Sequence, residues 1–122
     1  MYSARIVTRE TRGLRFSFDA DAEVAPENSP AQRVRARVTE ISLRGCFIET
    51  SASFEEQRRV LLKIFHSGGY FEAEAAVLYN RPAGIGLVFC EVKPHCRAVL
   101  QRWVLRALQV QSEAADPVAA DG

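Results

Sequence analysis

The chain is predicted to fold as a mainly β protein, a six-stranded antiparallel barrel with one C-terminal α-helix. Three observations carry that prediction. Short runs with period-two alternation recur from Arg15 to Phe89, and turn residues punctuate them. After Pro94 the period changes once, to that of an amphipathic helix. Closing the sheet on itself removes the exposed edges that an open set of short strands would leave.

The elements follow in order. Residues 1–14 are polar and basic without a sustained period, which predicts a flexible N-terminal arm. The barrel and helix are expected over 15–110. Arg15 to Val24 alternates, with Phe16, Phe18, Ala20 and Ala22 on one side and Ser17, Asp19, Asp21 and Glu23 on the other. A loop at Pro26, Asn28, Ser29 and Pro30 leads to a second strand with Val34, Ala36 and Val38 inward and Arg33, Arg35 and Arg37 outward. Those arginines are placed to face the acidic row across a hairpin, a structural use for both.

A Ser42 to Gly45 corner then leads into a third strand over Cys46 to Thr50 and a connection over Ser51 to Glu56. Arg58 to Phe65 reads as the fourth strand, with Val60, Leu62 and Ile64 on one face. His66-Ser67-Gly68-Gly69 closes a hairpin onto a fifth strand, Tyr70 to Tyr79, in which Phe71, Ala73, Ala75, Val77 and Tyr79 share a face. Arg81-Pro82-Ala83-Gly84 turns the chain into a sixth strand marked by Ile85, Leu87 and Phe89, where Gly84 and Gly86 permit a bend or a close backbone approach. Pro94 suits a first helical turn, and Leu100, Trp103, Val104, Ala107 and Leu108 form an apolar stripe that needs a partner surface. Residues 111–122 are small and acidic and contain Pro117, which predicts a disordered tail.

Composition bounds the function. A chain of 122 residues, 48% hydrophobic and 25% charged, is one globular domain. No apolar run has the length of a membrane span, and no apolar stretch follows Arg5 and Arg9, so a cytoplasmic location is expected. The net charge of +1 argues against binding a nucleic-acid polymer. So does the lack of a clustered aromatic platform beside the arginines. Cys46, Cys90 and Cys96 fall in no CxxC pattern and predict reduced thiols, with Cys46 and Cys90 packed in strands. His66 and His95 stand alone, and no paired carboxylates or nucleophile and base arrangement is visible, so the chain is not expected to be an enzyme or to hold a metal or organic cofactor.

The stretch from Thr39 to Thr50 is the candidate binding corner. Glu40 and Ser42 are two apart in extended chain and are expected on one face, while Gly45 is free to take a positive φ or to let the backbone come close. Ordinary turn chemistry accounts for Ser42 and Gly45 almost as well.

These residues resemble a known family. Arginines ahead of the first strand, the turn Glu40-x-Ser42-x-x-Gly45, the run Gly84-Ile85-Gly86-Leu87-Val88-Phe89 and a final helix are together similar to a PilZ domain, over roughly Arg9 to Leu108. The resemblance implies a six-stranded barrel that serves as a bacterial receptor for cyclic di-GMP. It also implies an Arg-x-x-x-Arg arm and an Asp or Asn-x-Ser-x-x-Gly turn as the ligand contacts. Here Arg15 matches the second arginine, Thr11 stands at the first with Arg12 beside it, and Glu40 is one methylene longer than the family's acidic residue. The implied contacts are Arg9, Arg12, Arg15, Glu40, Ser42 and Gly45. The implied partners are cyclic di-GMP and a downstream protein, in a monomer or homodimer. The alternative is a degenerate domain that docks proteins and ignores nucleotides.

Overall fold

The computed structural model describes the backbone of residues 15–121 and the side chains of residues 15–110. The predicted arm at 1–14 lies outside the described residues. The elements are β1 (Phe16–Pro26), β2 (Val34–Ile41), β3 (Gly45–Glu49), β4 (Arg59–His66), β5 (Gly69–Arg81), β6 (Gly84–Val92) and α1 (Pro94–Asp121). The strands form a closed antiparallel barrel in the order β1-β2-β3-β6-β5-β4. The mainly β class and the six-stranded barrel with a C-terminal helix are as the alternation predicts.

Inward positions build one core. Phe16, Ile41, Ile48, Leu62, Ile64, Phe71, Ile85 and Leu100 are among its most deeply buried side chains. Each such burial removes enough apolar surface to stabilise the fold by roughly 1.5–3 kcal/mol. The helix stripe finds its partner surface at the barrel end beside the β4–β5 turn, where the Trp103 ring lies 5.4 Å from Phe18, 5.5 Å from His66 and 6.3 Å from Phe71. Pro94 opens the helix, and Arg97 N–H donates to the Lys93 carbonyl at 2.8 Å. The helical backbone continues to Asp121, through the stretch that its composition predicts to be a disordered tail. Ala114, Ala115, Ala119 and Ala120 supply helix propensity there. No helix among the described residues is long and apolar enough to cross a membrane.

On the outer wall of β1 and β2 the charged rows meet as the sequence suggests. Arg37 bonds both Asp19 and Asp21, and Arg33 reaches Glu23 at 3.3 Å. Arg37 holds the Asp19 carboxyl below its usual range. These arginines serve the hairpin.

Four register shifts break the alternation, the first on β1, where Ser17 pairs with Glu40 but Ala20 with Val38, so that Phe18 and Asp19 together oppose Thr39. Val38 pairs with Ile48 but Glu40 pairs with Phe47, so Thr39 is an extra residue on β2. Val77 pairs with Leu87 but Tyr79 pairs with Gly86, so Leu78 is extra on β5. Glu74 pairs with Glu91 but Ala75 pairs with Phe89, so Cys90 is extra on β6. A bulge changes the face of every residue beyond it. That explains why Cys90 is exposed rather than packed in its strand. Cys46 is buried, and burial pushes its thiol up to about 12.

Candidate functional site

Local chemistry sets the corner between β2 and β3. The Ser42 hydroxyl is buried, accepts the N–H groups of Arg44 and Gly45 at 3.1 Å each, and donates to the Gly45 carbonyl at 3.2 Å. Ser42 N–H also donates to that carbonyl at 2.9 Å. The side chain is therefore committed inside the turn. Gly45 has no positive φ; the left-handed conformation expected as one option is not used. Its requirement is the close approach of β6, since a Cβ there would overlap the Leu87 carbonyl oxygen. Gly84 meets the same condition against the Ile48 carbonyl oxygen.

Glu40 and Ser42 do not share a face. Glu40 is exposed while Ser42 is buried, because the Thr39 bulge turns Glu40 outward and the chain leaves the strand after Ile41. The outward row then runs across neighbouring strands through successive pairs: Ser17 with Glu40, Glu40 with Phe47, Phe47 with Gly86, and Gly86 with Tyr79. Arg15, one residue before β1, stands over this row. Its Nη1 donates to the Tyr79 hydroxyl at 2.7 Å and lies 3.5 Å from Glu40 Oε1. The Tyr79 bond, ahead of Glu40, raises the guanidinium above its ordinary pKa. Arg15 is a cation at every working pH.

The structure brings together Arg15 and Glu40, and it sets Ser42 and Gly45 directly behind them as the frame of the turn. Arg9 and Arg12 lie outside the described residues. Sequence reasoning missed Tyr79, Phe47 and Arg81. Strict alternation places Tyr79 inward with Val77, but the Leu78 bulge turns it out. Its ring stacks beside Phe47 at 6.3 Å, with the Arg81 guanidinium 4.6 Å and that of Arg15 5.8 Å from its centroid. An aromatic cluster does stand beside an arginine here, contrary to the expectation of none. The signal that points to it is Gly86, which leaves room on β6 for a ring arriving from β5.

The arrangement offers a half-exposed carboxylate, two guanidinium groups and a pair of flat rings on one outer surface. Such a surface suits a planar ligand that carries both hydrogen-bond donors and negative charge.

Comparisons with known proteins agree on the fold. The structure is similar to YcgR from Escherichia coli in complex with c-di-GMP, with a TM-score of 0.67 and 21% identity over 86% of this chain and 49% of that one. It is also similar to the Bacillus subtilis inhibitor of motility (MotI/DgrA), with a TM-score of 0.65 and 21% identity over 80% of this chain and 50% of that one. For the PilZ domain of CeSA from a cellulose synthesizing bacterium the values are 0.64 and 15%, covering 76% and 96%. The chain thus spans about half the length of the YcgR and MotI chains and nearly all of the CeSA domain. No curated protein matches the sequence. The family model for the PilZ domain matches residues 5–106, from the basic leader through the barrel and into the helix, and the chain belongs to the PilZ family.

Proposed function

We propose that this PilZ domain is a second-messenger receptor that binds cyclic di-GMP on the outward corner formed by Arg15 and Glu40, and passes that state to a protein partner. Supporting it, a family relative of similar fold, YcgR, has been solved with c-di-GMP bound. The observation that carries the reading is the meeting of Arg15 and Glu40 at 3.5 Å on an accessible face, with side-chain exposures of 40% and 49%. A pair this exposed contributes about 0–1 kcal/mol. A ligand therefore opens it at small cost.

In this reading Arg15, joined by Arg9 and Arg12 from the preceding segment, bonds phosphate oxygens and the O6 or N7 acceptors of guanine. Glu40 accepts from the guanine donor edge. Ser42 and Gly45 act by holding the turn at the height where Glu40 meets the ligand, because the Ser42 hydroxyl is already occupied. The extra methylene of Glu40 moves its carboxylate by about 1.5 Å relative to aspartate. The corner tolerates this because the side chain is outward and folds toward Arg15.

Calorimetric titration with cyclic di-GMP tests the proposal. The wild-type chain should bind, Arg15→Ala should bind at least ~10-fold more weakly, since a charge-assisted contact is worth about 1.5–3 kcal/mol, and Glu40→Asp should bind as well or better. Absence of heat and of chemical-shift change in the wild type would favour the docking module instead, the reading that Thr11 in place of the first arginine supports.

A further inference from the structure

We infer that the outward face of α1 pairs antiparallel with the same face of a second copy of this chain, Arg102 and Arg106 of each copy lying opposite Asp116 and Glu113 of the other. The inference goes beyond the proposed function and shares no residue with the nucleotide corner. Its starting point is an order of charge that works against the helix carrying it. The first turn of α1 holds no acidic residue and the last turn no basic one. A helix dipole favours the reverse, acids at its start and cations at its end. Arg97, Arg102 and Arg106 occupy the first part of α1, and Glu113, Asp116 and Asp121 the last. Arg102 and Arg106 are four apart and Glu113 and Asp116 three apart, so each sits one helical turn from a charge of its own sign, where like charges repel. A lone helix gains nothing from this order. An antiparallel copy opposes the two dipoles and sets the basic half of each helix against the acidic half of the other.

Exposure and spacing fit such a contact. The apolar stripe of α1 is already covered by the barrel, with Cys96, Leu100, Trp103 and Val104 buried. A helix lying on a membrane surface would need that stripe, so the outer face does not suit a lipid partner. Arg102 and Arg106 are exposed, and neither has a carboxylate within ion-pair distance among the described residues. Positions 102, 106, 109, 113 and 116 recur at alternating steps of four and three, the heptad spacing that lines one side of a helix. The series is nearly symmetric about Gln109: Arg102 stands seven positions before it and Asp116 seven after, Arg106 three before and Glu113 four after. A two-fold axis at Gln109 therefore brings unlike charges together on both sides, in an isologous contact that closes on itself. A parallel pair would set arginine against arginine. Val110, at 59% the most exposed large hydrophobic side chain among the described residues, is next to that axis and gains cover from the second copy.

Because the seam is polar, the association is weak and sensitive to salt. Sedimentation equilibrium of the full chain tests it, on wild type and on two charge-reversed forms, Arg102→Glu with Arg106→Glu and Glu113→Lys with Asp116→Lys. Wild type should form a dimer whose dissociation constant rises ~10-fold or more as NaCl goes from about 50 mM to about 500 mM. Each reversed form carries one sign of charge along the whole seam and should stay monomeric. An equimolar mixture of the two should associate at least as tightly as wild type, because every charge then meets its opposite in the other variant. That rescue also shows that both variants are folded.

A wild-type chain that remains monomeric at low salt overturns the inference. So does a reversed form that dimerises like wild type, which would place the interface elsewhere. A mixture that stays monomeric overturns it as well, since the two seams would then have no antiparallel fit.

Discussion

Two corners of the barrel pair a serine with a glycine, and they are built on different physics. At the β4–β5 turn Ser67 and Gly68 have φ values of 53° and 80°, both are exposed, and nothing lies within 4 Å of a Cβ placed on Gly68. Both central residues of this two-residue hairpin adopt positive φ, a geometry that matches strand twist. At the β2–β3 corner Ser42 is buried and Gly45 is held by the Leu87 carbonyl of β6. One glycine is set by its own dihedral, the other by a strand more than forty positions away. The difference matters because β2, β3, β6 and β5 carry Glu40, Phe47, Gly86 and Tyr79 in one outward row. Ser42 and Gly45 thereby support the proposed ligand face without belonging to its outward row.

The most severe way to break that contrast is Gly45→Ala. The added methyl meets backbone rather than a yielding side chain, so β3 and β6 must separate. We expect a loss of ~3 kcal/mol or more in urea unfolding, at the upper end of overpacking costs, or failure to fold. A near-neutral result would show that β6 does not press on this corner.

Ser42→Ala comes next. It leaves the Arg44 and Gly45 N–H groups without their acceptor in a buried turn, a cost of about 1–3 kcal/mol. It should also weaken cyclic di-GMP binding, in proportion to the disturbance of Glu40. Unchanged stability with binding abolished would instead make the hydroxyl a direct ligand contact.

Much of this architecture is visible in the sequence, because a barrel with one buried face writes its core as alternation. Val60, Leu62 and Ile64, or Phe71, Ala73, Ala75 and Val77, need only their neighbours to be read. The proposed ligand face is harder. Glu40 and Tyr79 reach it through bulges, each of which adds a residue without a compositional mark, and the phase beyond a bulge depends on the partner strand. The motif residues Ser42 and Gly45 stand out by type, but whether they contact ligand or hold a turn depends on Leu87 and on the buried N–H groups of the corner. Long-range pairing decides both, and a local period carries no record of it.

The gentlest test sits at the other corner. Gly68→Ala meets no steric neighbour, so its only native-state cost is the positive φ, about 1–2 kcal/mol for an L-residue in the left-handed region. Against this, alanine reduces the entropy of the unfolded chain and returns about 0.4–1 kcal/mol. The net loss expected in urea unfolding is therefore ~1 kcal/mol or less. Gly68→Asn should lose less still, because asparagine tolerates this region better than alanine. Neither variant should alter cyclic di-GMP affinity, since the β4–β5 turn lies apart from the row that joins Glu40 to Tyr79. A loss at Gly68 equal to that at Gly45 would mean that dihedral preference, and not the approach of β6, governs both corners.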